Sequence, residues 1–314
     1  MRVLFIGDIV GKPGRTMLSE RLPLLKMHYA PHYVIVNGEN AAHGRGITKK
    51  IVEDFLAMGI DVITMGNHTW DNRSIMETIV DEPRLLRPIN FPPGTPGSGV
   101  ATVTSSIDPD LPPLAVVNVM GRSFLPPLDD PFRALDDVVN RLIKEGIRHI
   151  WVDVHAEATA EKQAIGWYLD GRASAVVGTH THVQTADARI LPGGMAYLTD
   201  VGMTGPMNGI LGMEREGVLA RFLTQLPSRF EVYEEGPREL SFVVVDLDEK
   251  GRATSIERGR IVEDAHAEGW TVNTADTAYH VFTHALTNAP VNASTGGLTV
   301  STDVSTDPSA EDKP

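Results

Sequence analysis

Apolar residues in the first two-thirds of the chain gather in short aliphatic or β-branched runs, separated by longer stretches with helical spacing. That alternation is the pattern of strands joined by helical crossovers. It predicts strands at Val3–Ile6, Tyr33–Val36, Val62–Thr64, Ala115–Val119, His149–Val154, Ala175–Val177 and Ala196–Leu198. Helices are predicted from Pro13 to about Met27, Thr48 to Met58, Asn72 to Val80, Pro131 to Glu145 and Ala160 to Leu169. Pro13 suits a first helical turn, and Gly59 and Gly146 stand where glycines end helices. From Ser228 the runs follow one another directly, at Arg229–Tyr233, Ser241–Leu247 and Thr254–Arg260, the last two joined by the turn 248–251. They predict an antiparallel sheet that closes an α/β domain over residues 1–270. Residues 271–314 hold thirteen Ser or Thr and five acids against one Lys and no Arg. This composition predicts a mostly disordered acidic tail, with a short helix around Ala278–Leu286 in which His280 and His284 are incidental.

Composition narrows the chemistry. The chain of 314 residues has 42% hydrophobic residues, enough for a sizeable core, and no cysteine. Disulfides, thiolate metal sites and cysteine nucleophiles are therefore excluded. A net charge of −13 argues against duplex nucleic acid as a partner, because binding to its backbone depends on positive charge. The opening run Met1–Asp8 is too short for a signal peptide, and nothing approaches the ~18 apolar residues of a membrane span. A soluble, cytoplasmic protein without a membrane partner is the expectation.

Five predicted strands end in residues able to bind metal: Asp8 after LFIG, Glu39 and Asn40 in VIVNGEN, Asn67 and His68 in VITMGNH, His155 in WVDVHAE, and His180 and His182 in VVGTHTH. In an open α/β sheet, ligands bind beyond the carboxyl ends of the strands, so these endings can converge on one site. Any one alone reads as a turn or loop residue; their succession points to metal. Imidazole with carboxylate and amide oxygens suits Mn, Fe or Zn. So many groups exceed one ion's needs but fit two, about 3.5–4 Å apart and bridged by a carboxylate, an arrangement that serves phosphoryl chemistry. The spacing of two in His180-Thr-His182 lets both rings of an extended segment serve the pair. Gly7-Asp-Ile-Val-Gly11-Lys12 is no P-loop, since one residue between the glycines and the Ser or Thr after Lys are missing.

The order D…GEN…GNH…H…GTHTH, with GDIVGKPGR, GNHTWDN and YLTDVGMTGP, resembles the calcineurin-like metallophosphoesterases. Within them it is most similar to the bacterial branch of 2′,3′-cyclic-nucleotide phosphodiesterases. The resemblance spans about residues 1–265 and implies a four-layer αββα sandwich of two mixed sheets flanked by helices. It also implies two divalent transition metal ions: Asp8, Glu39 and His182 would hold one, and Glu39, Asn67, His155 and His180 the other, with Glu39 as the bridge. A hydroxide shared by the metals would attack phosphorus, with His68 as the catalytic partner. Where the superfamily usually has a histidine two residues after the first Asp, this chain has Val10; Asn40 would take its place, and an amide oxygen there favours Fe or Mn over Zn. The implied substrate is a cyclic nucleotide, 2′,3′-cyclic first and 3′,5′-cyclic second. A broad-specificity phosphomonoesterase or phosphodiesterase is the alternative enzyme, and a metal- or nucleotide-binding regulator with vestigial hydrolysis the alternative outside enzymes.

Other roles stay open in the sequence. His68 reads either as the catalytic imidazole or as support for Asn67, and Asp71 and Asp153 are candidates to orient imidazoles. Arg45, in His43-Gly-Arg-Gly46, reads as a phosphate ligand or a solvated loop residue. The Gly- and Met-rich segment 202–212 reads as a mobile loop lining the site or as core packing.

Overall fold

Successive residues of a strand face opposite ways, and in β1 (Arg2–Ile6) both ways are apolar. Val3 and Phe5 turn to one buried cluster, Leu4 and Ile6 to another. A strand buried on both faces belongs to the middle of a layered structure. The computed structural model of the chain, which describes residues 1–263, shows those layers.

The elements run β1, β2 (Asp8–Ile9), α1 (Gly11–Tyr29), β3 (Tyr33–Asn37), α2 (Lys49–Ala57), β4 (Val62–Thr64), α3 (Ile75–Asp81), β5 (Leu85–Leu86), β6 (Val100–Val103) and β7 (Leu114–Met120). They continue with α4 (Pro131–Lys144), β8 (His149–His155), α5 (Thr159–Leu169), β9 (Ala175–Thr179), β10 (Arg189–Ile190), β11 (Ala196–Leu198), β12 (Met203–Pro206), α6 (Arg215–Thr224), β13 (Arg238–Leu247) and β14 (Ala253–Val262). One mixed sheet has the order β2-β12-β13-β1-β3-β4-β5, with β14 beside β13; the other runs β10-β11-β9-β8-β7-β6. In the first, β1, β3, β4 and β5 are parallel and β13 is antiparallel to β1. In the second, β7, β8, β9 and β11 are parallel, between antiparallel edge strands.

Val3, Phe5, Tyr33 and Ile35 of one sheet meet Val116, Trp151 and Val177 of the other, and the Phe5 and Trp151 rings stack with centroids 5.8 Å apart. Helices cover the outer faces. Met17, Leu18 and Leu22 of α1 with Phe55 of α2 pack on Leu4, Ile6 and Val36; Leu135 and Val139 of α4 with Ile165 of α5 pack on Val117 and Val152. The result is the expected αββα sandwich.

Thr48 caps α2 through the Ile51 N–H, and Asp130 caps α4 through the N–H groups of Phe132 and Arg133. Gly59 and Gly146 adopt φ of 74° and 86°, the left-handed conformation that ends a helix. Three expectations need correction. Arg229–Tyr233 is no strand, since it pairs only through the single bridge Met213–Val232. The closing hairpin β13–β14 forms no separate sheet: β13 lies inside the first sheet, between β12 and β1. In segment 202–212, residues Met203–Pro206 form strand β12, which pairs with β2 and β13, so the loop starts only at Met207. The tail, with its helix and the His280–His284 pair, lies outside the described residues. Among those residues, no helix is long and apolar enough to cross a membrane.

Candidate metal centre

The parallel strands of the two sheets present their carboxyl ends along one edge, and a buried polar bridge joins them there. Asp153 of β8 accepts Thr64 Oγ1 (2.5 Å) and Asn37 Nδ2 (3.1 Å) from the first sheet and Thr179 Oγ1 (2.7 Å) from the second. Burial raises its pKa, and these donors counter the rise. Asp8 follows β1, Glu39 follows β3, Asn67 and His68 follow β4, His155 ends β8, and His180 and His182 follow β9.

These groups converge. His155 Nε2 lies 3.0 Å from Glu39 Oε1, 3.0 Å from Asn67 Oδ1 and 3.1 Å from His180 Nδ1. One ring nitrogen cannot bond to all three, whereas a cation among them would satisfy every lone pair. Glu39, His155 and His180 each place a ligand atom within 4.8 Å of the others. Asp8 is joined to the group through the His180 N–H, which donates to its Oδ2 (3.1 Å). Two buried oxygens, Asp8 Oδ1 and Asn40 Oδ1, have no hydrogen-bond partner among the described residues, a costly condition that a metal ion would relieve. Gly66 keeps the space open, since a Cβ there would overlap Glu39 Oε2 and the His155 ring. These donors fit a divalent metal ion.

Each imidazole is held from its far side. Thr179 Oγ1 spends its one proton on Asp153, so it accepts from His155 Nδ1–H (2.9 Å) and leaves Nε2 facing the cluster. His180 Nε2 donates to Glu157 Oε2 (3.0 Å), turning Nδ1 inward. His182 Nδ1 meets the Leu211 carbonyl (3.1 Å), and His68 Nδ1 meets Asp71 Oδ2 (2.8 Å). A metal-binding histidine characteristically gives its second N–H to an acceptor of this kind. Asp71 thus contacts an imidazole directly, whereas Asp153 reaches His155 only through Thr179.

Charge follows from burial and neighbours. Burial disfavours the ionised Asp8, whose pKa rises with further repulsion from Glu39 and Asp200. Burial acts the same way on Glu39, but the charge and hydrogen bond of His155 prevail and lower it to about 2. Burial lowers the pKa of His180 to about 3, helped by repulsion from His155, and burial lowers that of His182. Both rings are therefore neutral near pH 7, with lone pairs free for a cation.

The His180-Thr-His182 segment is not the extended run expected. Both histidines have positive φ, 98° and 64°, a conformation rare outside glycine that surrounding structure must hold. Asp200 supplies the hold: its Oδ2 accepts the Thr181 N–H (3.1 Å), Thr181 Oγ1 (2.6 Å) and the buried Lys162 Nζ (2.7 Å). Val10 packs with Met203, Val232 and Met213 and takes no part in the cluster. Arg45 lines the cavity at the site together with His68, His180 and His182. Glu157, Thr179 and Lys162 escaped the sequence reading. Thr179 carries a signal in retrospect, being the last residue of the strand that ends in the histidines; Lys162 on α5 carries none.

A two-sheet αββα sandwich whose strand ends gather carboxylates, amides and imidazoles is the arrangement of a metallophosphoesterase. A family model described as YmdB-like protein matches residues 4–259, and the chain belongs to that family. It is 57% identical over 265 residues to the 2′,3′-cyclic-nucleotide 2′-phosphodiesterase of Bacillus subtilis (strain 168), covering 84% of this chain and 98% of that protein. A solved structure of a hypothetical protein from Thermus thermophilus is 44% identical, with a TM-score of 0.75 over 82% of this chain and 98% of the other. A structure described as a novel phosphatase from Mycoplasma pneumoniae is 33% identical, with a TM-score of 0.77 over 83% and 93%.

Proposed function

We propose that the protein is a dinuclear-metal phosphodiesterase that opens 2′,3′-cyclic nucleotides. The observation that carries this is the convergence of Glu39, Asn67 and His180 on one nitrogen of His155, beside the unpartnered oxygens of Asp8 and Asn40. Identity to the Bacillus subtilis enzyme over nearly its whole length supports the substrate class. Asp8, Glu39, Asn40 and His182 would hold one ion, and Glu39, Asn67, His155 and His180 the other; Mn or Fe suits this oxygen- and imidazole-rich set. Bound ions supply charge neutralisation at phosphorus and a nucleophile near neutral pH.

The chain's own residues do the rest. Asp71 fixes Nδ1 of His68, leaving Nε2 for the phosphate, where it donates to a non-bridging oxygen or protonates the departing alkoxide. Arg45, exposed at the cavity, offers a cation to the same phosphate.

The purified protein, loaded with Mn, is expected to carry two metal ions per chain by elemental analysis and to convert 2′,3′-cyclic AMP to a nucleoside monophosphate. One ion or none, with no turnover under Mn or Fe, would overturn this reading. His68→Ala is expected to keep its metal and lose at least about tenfold in kcat on bis-p-nitrophenyl phosphate. Unchanged kcat would remove His68 from the reaction.

A further inference from the structure

The cavity that opens on the metal cluster extends well past it. Its volume is about 510 Å³, within the range of small-molecule sites, and most of its polar side chains gather at the metal cluster. The opposite wall is apolar, built from Ile210, Leu211, Met213, Val218, Phe222 and Phe230. A dinuclear centre acting on a phosphate alone has no use for such a wall.

α6 supplies much of it, and α6 is poorly anchored: Val218 is its one buried residue. Phe222 is 73% exposed, so a large aromatic face stands open to water at the rim of a catalytic cavity. Beside it, Arg221 lies with its guanidinium carbon 5.9 Å from the Phe230 ring centroid, and Arg45 adds a second cation on the floor side. Two arginines at one cavity are notable in a chain of net charge −13. Gln225, the neutral polar side chain of the helix end, gives one of its two amide N–H groups to the Phe222 carbonyl (3.0 Å). The wall thus offers rings, apolar surface and cations, with Gln225 as its single neutral polar side chain.

We propose that this wall is a nucleoside subsite, in which Phe222 stacks on the base while the phosphate lies at the metal cluster and the arginines balance its charge. The ligand class is a nucleoside phosphate, held by the face of its base and without strong choice among bases. Stacking of this kind is sequence-tolerant because every base has a π-face. The inference rests on the phosphodiesterase reading and adds to it the group that separates a nucleotide from a simple phosphodiester.

The test compares competitive inhibition by 3′-AMP and by inorganic phosphate on the Mn-loaded full chain, with bis-p-nitrophenyl phosphate as reporter. Wild type is expected to bind 3′-AMP more tightly than inorganic phosphate. Phe222→Ala is expected to raise the inhibition constant of 3′-AMP about tenfold and to move that of inorganic phosphate by less than about twofold, while Phe222→Tyr keeps the wild-type preference. Because Phe222 is exposed, neither variant threatens the fold. Equal shifts for both inhibitors, or none for either, would overturn the subsite. So would a change of oligomeric state with unchanged inhibition, which would mean that a second copy of the chain covers the ring. A wild-type protein that neither hydrolyses the reporter nor binds inorganic phosphate would overturn the phosphodiesterase reading itself, a result distinct from the others.

Discussion

Glu39→Gln is expected to lose at least one of the two metal ions proposed for the site and to fall in turnover at least about a hundredfold. Glu39 stands at the centre of the cluster: Oε1 faces His155 Nε2 at 3.0 Å, and Oε2 accepts the His68 N–H at 3.1 Å. The His68 N–H needs an acceptor and a cation beside His155 Nε2 needs an anionic oxygen, and a carboxylate offers both. Glutamine offers one oxygen and one NH2 group. Turned one way, its NH2 opposes the His68 N–H; turned the other, it occupies the side where a cation would sit. Either way the negative charge nearest His155 Nε2 is gone, from a residue that is 1% exposed. The chain should still fold, because the two side chains have the same size and Gly66 leaves room beside them. The measurement is metal content by elemental analysis, with hydrolysis of 2′,3′-cyclic AMP alongside. Two retained ions and turnover within tenfold of wild type would show that Glu39 neither bridges nor stabilises the centre.

The legibility of this site in the sequence has a physical origin. Parallel strands buried on both faces are nearly continuous apolar runs, so the first polar residue after each run marks where the strand leaves the core. Asp8, Glu39, Asn67, His155 and His180 all stand at that boundary, which is why the strands and the cluster could be read together. Residues that reach such a boundary from elsewhere in the chain leave no local mark. Lys162 sits in α5 with the spacing of an ordinary surface lysine, yet it is 1% exposed because its stem passes Gly178, whose missing side chain makes the passage. β5 and β10 have two residues each, too few for alternation to register. Arg229–Tyr233 alternates as a strand should, but its apolar residues serve other ends: Phe230 lines the cavity and Val232 packs on Val10. An alternating pattern reports that one face is buried and does not say against what. The positive φ of His180 and His182 is equally hidden, because the residues that impose it are Asp200 and Lys162, distant in sequence.

That clamp carries the second large expectation. Asp200→Asn should lower stability by about 3 kcal/mol, roughly 6–12 °C in Tm for a domain of this size, and weaken metal binding as well. The carboxylate is fully buried and accepts from Lys162, from the N–H and hydroxyl of Thr181, and from the Gly202 N–H (2.8 Å). An amide can accept at one oxygen only, and it leaves the Lys162 ammonium buried without a counter-charge, which is where most of the cost arises. The two effects separate in a double variant. Lys162→Met with Asp200→Asn removes the stranded charge while keeping the stem's packing, so most of the lost stability should return. Metal affinity should not return with it, because Thr181 still lacks the carboxylate that holds His180 and His182 in their left-handed conformations. Thermal unfolding and metal titration of the wild type, the single variant and the double variant measure both quantities. Recovery of stability and metal affinity in step would make the ion pair a packing element alone; recovery of stability without affinity would make Asp200 the residue that positions the two histidines.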